Sequence, residues 1–197
     1  MPASVLVTGF EPFGGREVNA SLIAARSLAL TEGVRVLCLP VIWGAPLETL
    51  HALCTEDCPH TILAMGEGRA GWFDIETRAR NIRGDRSDNA GATCSAPIVD
   101  GGPDVVRATI DAPELRDQLA EMGHPVDISE DGGAFLCEET LYSLERLKEL
   151  HHRLERVVFS HLPPAGSTSN EVGALPLCTD DAVRAFANDL LTTVLEI

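Results

Sequence analysis

The stretch SVLVTGFEPFGG, Ser4 to Gly15, decides the fold class. Ser4 to Thr8 is a short apolar run rich in β-branched residues, the composition of a buried strand, and it stops in glycine-rich turn chemistry. Ala20 to Leu30 then carries apolar residues at helical spacing. The alternation continues along the chain. Val34 to Val41 and Thr61 to Met65 read as the second and third strands, Phe73 to Ile82 as extended in places, and Val126 to Ser129 and Arg156 to Ser160 as later short buried strands. Pro46 to Leu53, Pro103 to Met122, Leu136 to Leu154 and Asp180 to Leu195 have the period and length of helices. Helices interleaved with about six strands predict an α/β fold, a three-layer αβα sandwich around a mostly parallel twisted sheet. The 197 residues, with no repeat and no low-complexity tract, are expected to form one domain spanning 1–197.

Charge excludes several function classes. Thirty acidic against fifteen basic residues give a formal net charge of −15, and Lys148 is the only lysine. Nucleic acid and anionic membrane are therefore excluded as partners. No basic leader precedes the first apolar run, and no apolar stretch approaches the roughly 18 residues of a membrane span, so a cytoplasmic protein is expected. The six cysteines read as reduced thiols. Cys54 and Cys58, near His51 and His60, match no common zinc spacing and read as packing and loop polarity. No metal or organic cofactor is expected.

In open α/β sheets chemistry gathers beyond the carboxyl ends of the strands. Four places qualify: Gly9 to Gly15, Gly66-Glu67-Gly68, the residues leading to Cys137, and His161. The segment from Arg83 to Pro103 reads as a long surface excursion of the kind that often serves function. Cys137 stands where a Gly-Gly turn feeds a helix, and the partial positive charge of a helix N-terminus favours a thiolate. Glu138 and Glu139, with Glu130 and Asp131 upstream, oppose it by penalising a second negative charge. The thiol thus needs a base. His161, which ends the run Val157 to Ser160 and begins a loop toward Gly166, could be that base or a hydrogen-bonded structural residue; spacing alone leaves both open.

Phe10 and Phe13 in VTGFEPFGGREVNAS, Glu76 and Asn81 in IETRARN, Asp88-Asn89 with Gly91, GGAFLCEETLY and VVFSHLPP together resemble the pyroglutamyl peptidase I (pyrrolidone-carboxylate peptidase) family of cysteine peptidases. That resemblance implies a Cys-His-Glu triad on Cys137, His161 and Glu76, acting through a thioester. It implies that Phe10, Phe13 and Phe135 enclose a flat lactam ring. Asn19, Glu67 and Arg86 fall on polar positions of the family, Arg86 as an oxyanion candidate. The substrate it implies is a peptide with a blocked N-terminus, and the assembly a homo-oligomer, commonly a tetramer.

The chain departs from the family pattern in three places. Glu67 replaces a glutamine, Glu138-Glu139 replaces Asn-His after the nucleophile, and the residues after His161 are Leu162-Pro163-Pro164. Extra negative charge within one turn of the thiol is expected to slow acylation. Two other readings therefore stand beside the peptidase: a cysteine amidase for a different small N-terminal residue, and a non-catalytic binding protein on the same fold.

Overall fold

Val5, Leu6 and Val7 are each no more than 2% exposed, as a parallel strand covered on both faces requires. In the computed structural model, which describes residues 4–166 and 178–197, they belong to β1, Val5–Phe10. The chain continues through α1 (Ala20–Ser27), β2 (Val34–Leu39), α2 (Ala45–Asp57), β3 (Thr61–Glu67), β4 (Phe73–Glu76), β5 (Arg78–Arg80) and β6 (Val105–Arg107). It ends with α3 (Ala112–Glu121), β7 (Val126–Ser129), α4 (Leu136–Leu150), β8 (Arg156–Leu162) and α5 (Asp180–Glu196).

Six strands form one sheet in the order β2-β1-β3-β8-β4-β7, and β5 pairs with β6 in a separate antiparallel ribbon. All neighbours in the large sheet run parallel except β4 and β8, which pair antiparallel at Asp74 with His161 and Ile75 with Ser160. Helices α1, α3 and α5 contribute to one apolar cluster, including Leu115 and Phe186, while α2 and α4 contribute to the other, including Leu50 and Tyr142. These are the three predicted layers. Gly9 lets α1 cross tightly over β1, since a Cβ there would lie 2.4 Å from the Ser21 carbonyl oxygen.

Several boundaries differ from the sequence reading. The expected helix from Pro103 begins only at Ala112, because Asp111 caps it by accepting the Glu114 N–H at 3.1 Å. The β-branched pair Val105-Val106 instead forms β6. The extended segment Phe73 to Ile82 divides at Thr77, whose N–H and hydroxyl both donate to the Ser129 carbonyl, at 2.9 and 2.8 Å. Helix α4 stops at Leu150, because His151 turns to extended backbone. Finally, β8 runs on to Leu162, so His161 lies within a strand rather than opening a loop; β3 pairs with it as far as Glu67 and β4 grips its other edge. The rest of the loop expected after Gly166 falls outside the described residues.

Candidate active site

Side chains alternate along β8, and Phe159 belongs to the apolar cluster beneath α2 and α4. His161, two residues on, therefore points to the same face, where α4 presents Cys137. The two side chains meet over Gly66, where an added Cβ would stand 2.6 Å from the Cys137 sulfur and 3.4 Å from His161 Cδ2. On the other side of the ring, His161 Nδ1 lies 2.6 Å from Glu76 Oε1, whose strand is held beside β8 by the antiparallel pairing. Both groups are buried, at 7% exposure for His161 and 1% for Glu76. With Nδ1–H donating to Glu76, Nε2 is the nitrogen left for the thiol.

Burial disfavours the imidazolium, yet the charge and hydrogen bond of Cys137, then those of Glu76, outweigh it and push the His161 pKa from 6.5 up to about 10. The imidazolium is thus stabilised by the two side chains that flank it.

Glycines make room for this pair. A Cβ on Gly66 would stand 2.6 Å from the Cys137 sulfur, and one on Gly68 would stand 2.7 Å from the His161 Cβ. Any side chain at either position would displace the thiol or the ring. The sequence placed Gly66-Glu67-Gly68 at the right sheet edge, but the spatial reason for both glycines appears only once α4 and β8 are packed on β3.

The thiol and imidazole open into a cavity of about 510 Å³ lined by Phe10, Phe13 and Phe135. The rings of Phe13 and Phe135 lie 6.0 Å apart, and Trp43 closes edge-on against Phe135 at 5.1 Å. The Arg86 guanidinium stacks on both phenylalanines, 5.5 Å from the Phe13 centroid and 4.3 Å from that of Phe135. Trp43 Nε1–H donates to the Arg86 carbonyl at 3.2 Å, fixing that stretch of loop. Trp43 escaped the sequence reading because it comes from the turn before α2, remote in sequence from every motif.

Asn19 and Glu67 border the same cavity, but their polar atoms serve the scaffold. Asn19 caps α1, its Oδ1 accepting from Ser21 N–H at 3.0 Å and from the Ser21 hydroxyl at 2.7 Å, while its Nδ2 donates to the Glu11 carbonyl. Glu67 Oε1 accepts the Ala20 N–H at 2.6 Å, and its other oxygen pairs with Arg16. The carboxylate at this position thus completes the N-terminus of α1. The long excursion is tied to the same wall: Asn89 Nδ2 donates to Glu11 Oε1 and to the Pro12 carbonyl, both at 2.9 Å.

The expected penalty from Glu138 and Glu139 has to be corrected. Both side chains are fully buried and turned onto arginines. Glu138 Oε1 accepts from Arg80 N–H at 2.6 Å and its Oε2 from Arg80 Nη2 at 2.8 Å; Glu139 Oε2 accepts from Arg83 Nε at 2.6 Å and its Oε1 from Gly44 N–H at 2.8 Å. The two charges beside the thiol are therefore offset by two guanidiniums. The acidic pair was visible in the sequence, but its partners are more than fifty residues upstream. Among the described residues no group of three or more His, Cys, Asp or Glu side chains is arranged to hold a metal ion, and no helix is long and apolar enough to cross a membrane.

A family model described as pyroglutamyl peptidase matches residues 3–194. The pyrrolidone-carboxylate peptidase of Chromobacterium violaceum is 36% identical over 191 residues, covering 93% of this chain and 89% of that one. Its counterpart in Streptomyces coelicolor is 33% identical, covering 89% and 85%. Among solved structures, pyroglutamyl peptidase I of Bacillus amyloliquefaciens superposes with a TM-score of 0.86 at 25% identity, covering 99% of this chain and 98% of that one.

Proposed function

This chain belongs to the pyroglutamyl peptidase family of cysteine peptidases and removes N-terminal pyroglutamate from peptides; we propose that it does so with Cys137 as nucleophile, His161 as general base and acid, and Glu76 as the carboxylate that orients the imidazole. The observation that carries this assignment is the placement of the Cys137 sulfur and the His161 ring together over Gly66, with His161 Nδ1 held by Glu76 Oε1 at 2.6 Å. His161 Nε2 takes the thiol proton and the sulfur attacks the pyroglutamyl carbonyl carbon. The tetrahedral oxyanion then collapses, breaking the C–N bond while the imidazolium protonates the departing amine. A water deprotonated by His161 attacks the thioester, freeing pyroglutamate and returning the thiol.

Helix α4 supplies the oxyanion donors in this reading. Its first N–H groups, including that of Cys137 itself, have no acceptor within the helix. Phe10, Phe13 and Phe135 enclose the lactam ring, a flat neutral group suited to aromatic walls. Arg86, stacked on two of those walls, closes the ring pocket. Replacing Arg86 with alanine is accordingly expected to raise KM by about 3- to 30-fold, the worth of a cation–π contact of roughly 0.5–2 kcal/mol, with little change in kcat. A role for Arg86 at the oxyanion would instead show as a loss of kcat. Asn19 and Glu67 act on the substrate only through the loop and helix they hold.

The decisive test is release of a chromophore from a pyroglutamyl amide by wild type beside Cys137→Ser. Turnover by wild type, abolished in the variant, supports the assignment; equal turnover by the two would refute it. The residues 1–197 are proposed to act as one domain, in the cytoplasm, where six free thiols are at home. A homo-oligomer, a tetramer by resemblance, is proposed as well, and light scattering would measure it.

A further inference from the structure

We propose that Glu138 is a positioning residue for the reaction: through Arg80 it fixes the Asp131–Ala134 turn and so aims the oxyanion-binding amides at the start of α4. The inference rests on the peptidase reading above and goes beyond its three named residues. It starts from Ala134, the only non-glycine residue with a positive φ, 48°, among the described residues. An alanine in that region carries a steric cost and persists only where its surroundings impose it.

Both ends of Ala134 are held. Its N–H donates to Glu138 Oε2 at 2.8 Å, and its carbonyl accepts the Gly84 N–H at 2.7 Å. Arg80 meets the same carboxylate through its backbone N–H, Nε and Nη2, at 2.6, 3.1 and 2.8 Å, while Nη2 also reaches Asp131 at the head of the turn. Gly132 packs directly on the Glu138 backbone, its would-be Cβ 3.1 Å from the Glu138 Cα. One ion pair thus secures the first and last residues of the turn.

The turn delivers Phe135, Leu136 and Cys137 to the cavity wall, and the peptide after Ala134 leads directly into Phe135, the N-cap of α4. A buried ion pair returns little net stability compared with apolar residues of similar volume, so geometry is the better account of what this one secures. Rotation of the Ala134 peptide would swing the α4 N–H groups away from the oxyanion, a group present only in the tetrahedral state. Ground-state binding of the ring and thiolate formation would be largely spared.

Glu138→Gln keeps the volume and one acceptor but loses the bidentate contact with Arg80. Four quantities separate positioning from a general structural role: kcat, KM, the rate of Cys137 alkylation by iodoacetamide, and inhibition by the aldehyde analogue of pyroglutamate. That aldehyde forms a tetrahedral hemithioacetal with the thiol. The expected result is a fall in kcat of about 10- to 100-fold with a matching rise in the aldehyde Ki, while KM and the alkylation rate stay within about twofold. An unchanged kcat overturns the inference, and so does a fall in kcat matched by the alkylation rate or unaccompanied by weaker aldehyde binding. If Glu138→Gln does not fold, Arg80→Lys, which keeps the charge and loses the fork, is read by the same four quantities and judged by the same outcomes. Wild type inert toward the pyroglutamyl reporter would instead sink the peptidase reading itself.

Discussion

His161 on β8 and Glu76 on β4 are 85 residues apart in sequence, yet Nδ1 and Oε1 meet at 2.6 Å because β4 joins the sheet antiparallel to β8. The single reversed pairing in the large sheet is therefore the one that brings the carboxylate to the imidazole. The thiol is brought to the same imidazole by the N-terminal turn of α4.

This arrangement gives stability a pH dependence of definite sign. The folded-state pKa of His161 is raised from 6.5 to about 10, so its contribution is fully present below about 6.5 and is lost as pH rises through about 10. In Glu76→Gln/Cys137→Ala only burial would remain, which lowers the imidazole pKa. The difference in unfolding free energy between wild type and this variant, measured with urea, should be greatest near about pH 6 and shrink toward about pH 10. A constant difference across that range would contradict the charge pairing.

Gly66→Ala tests the packing of the thiol. The added carbon would lie 2.6 Å from the Cys137 sulfur, so sulfur or strand must move. Kinetics with a pyroglutamyl amide should show a loss in kcat of about 100-fold or more, since misplacement by about an ångström costs that much. Chemical denaturation should show a loss of about 1–3 kcal/mol, the usual cost of overpacking.

How much of this the sequence made legible follows from which contacts are local. The runs at Ser4 to Thr8 and Thr61 to Met65 announced buried parallel strands, because strands covered on both faces must be apolar throughout. Cys137 at a glycine turn entering a helix was likewise a local signal. Nothing in Phe73 to Ile82 distinguished one strand from two, because the break at Thr77 depends on the Ser129 carbonyl fifty-two residues away. The same limit misjudged Glu138 and Glu139, which looked like uncompensated charge until Arg80 and Arg83 folded back onto them. Local period and turn chemistry thus revealed the layers and the nucleophile, while electrostatic balance depended on long-range contacts.

Glu67→Gln separates scaffold from ligand at the position where this chain departs from the family pattern. Glu67 Oε1 caps the Ala20 N–H and the other oxygen pairs with Arg16. A glutamine keeps the cap and loses the ion pair, so a small fall in Tm is expected while KM for pyroglutamyl substrates is unchanged. A clear change in KM would mean that the carboxylate itself touches the substrate.

Removing Arg83 should both destabilise the fold and restore the electrostatic penalty that the sequence led one to expect. Glu139 is fully buried, and its Oε2 accepts from Arg83 Nε at 2.6 Å. Arg83→Ala would strand that carboxylate two residues from the nucleophile. The expected loss is about 3–5 kcal/mol at neutral pH. Cys137 alkylation by iodoacetamide should slow at the same time, because a nearby unpaired anion disfavours the thiolate. Arg83→Met/Glu139→Gln removes both charges and keeps an oxygen for the Gly44 N–H, whose bond to Glu139 Oε1 is 2.8 Å. The double variant should therefore regain most of the lost stability and the alkylation rate, since the cost lies in the unpaired charge. If Arg83→Ala were instead as stable and as reactive as wild type, Glu139 would have to be neutral or hydrated in the folded protein, and the guanidinium would not be what shields the thiol.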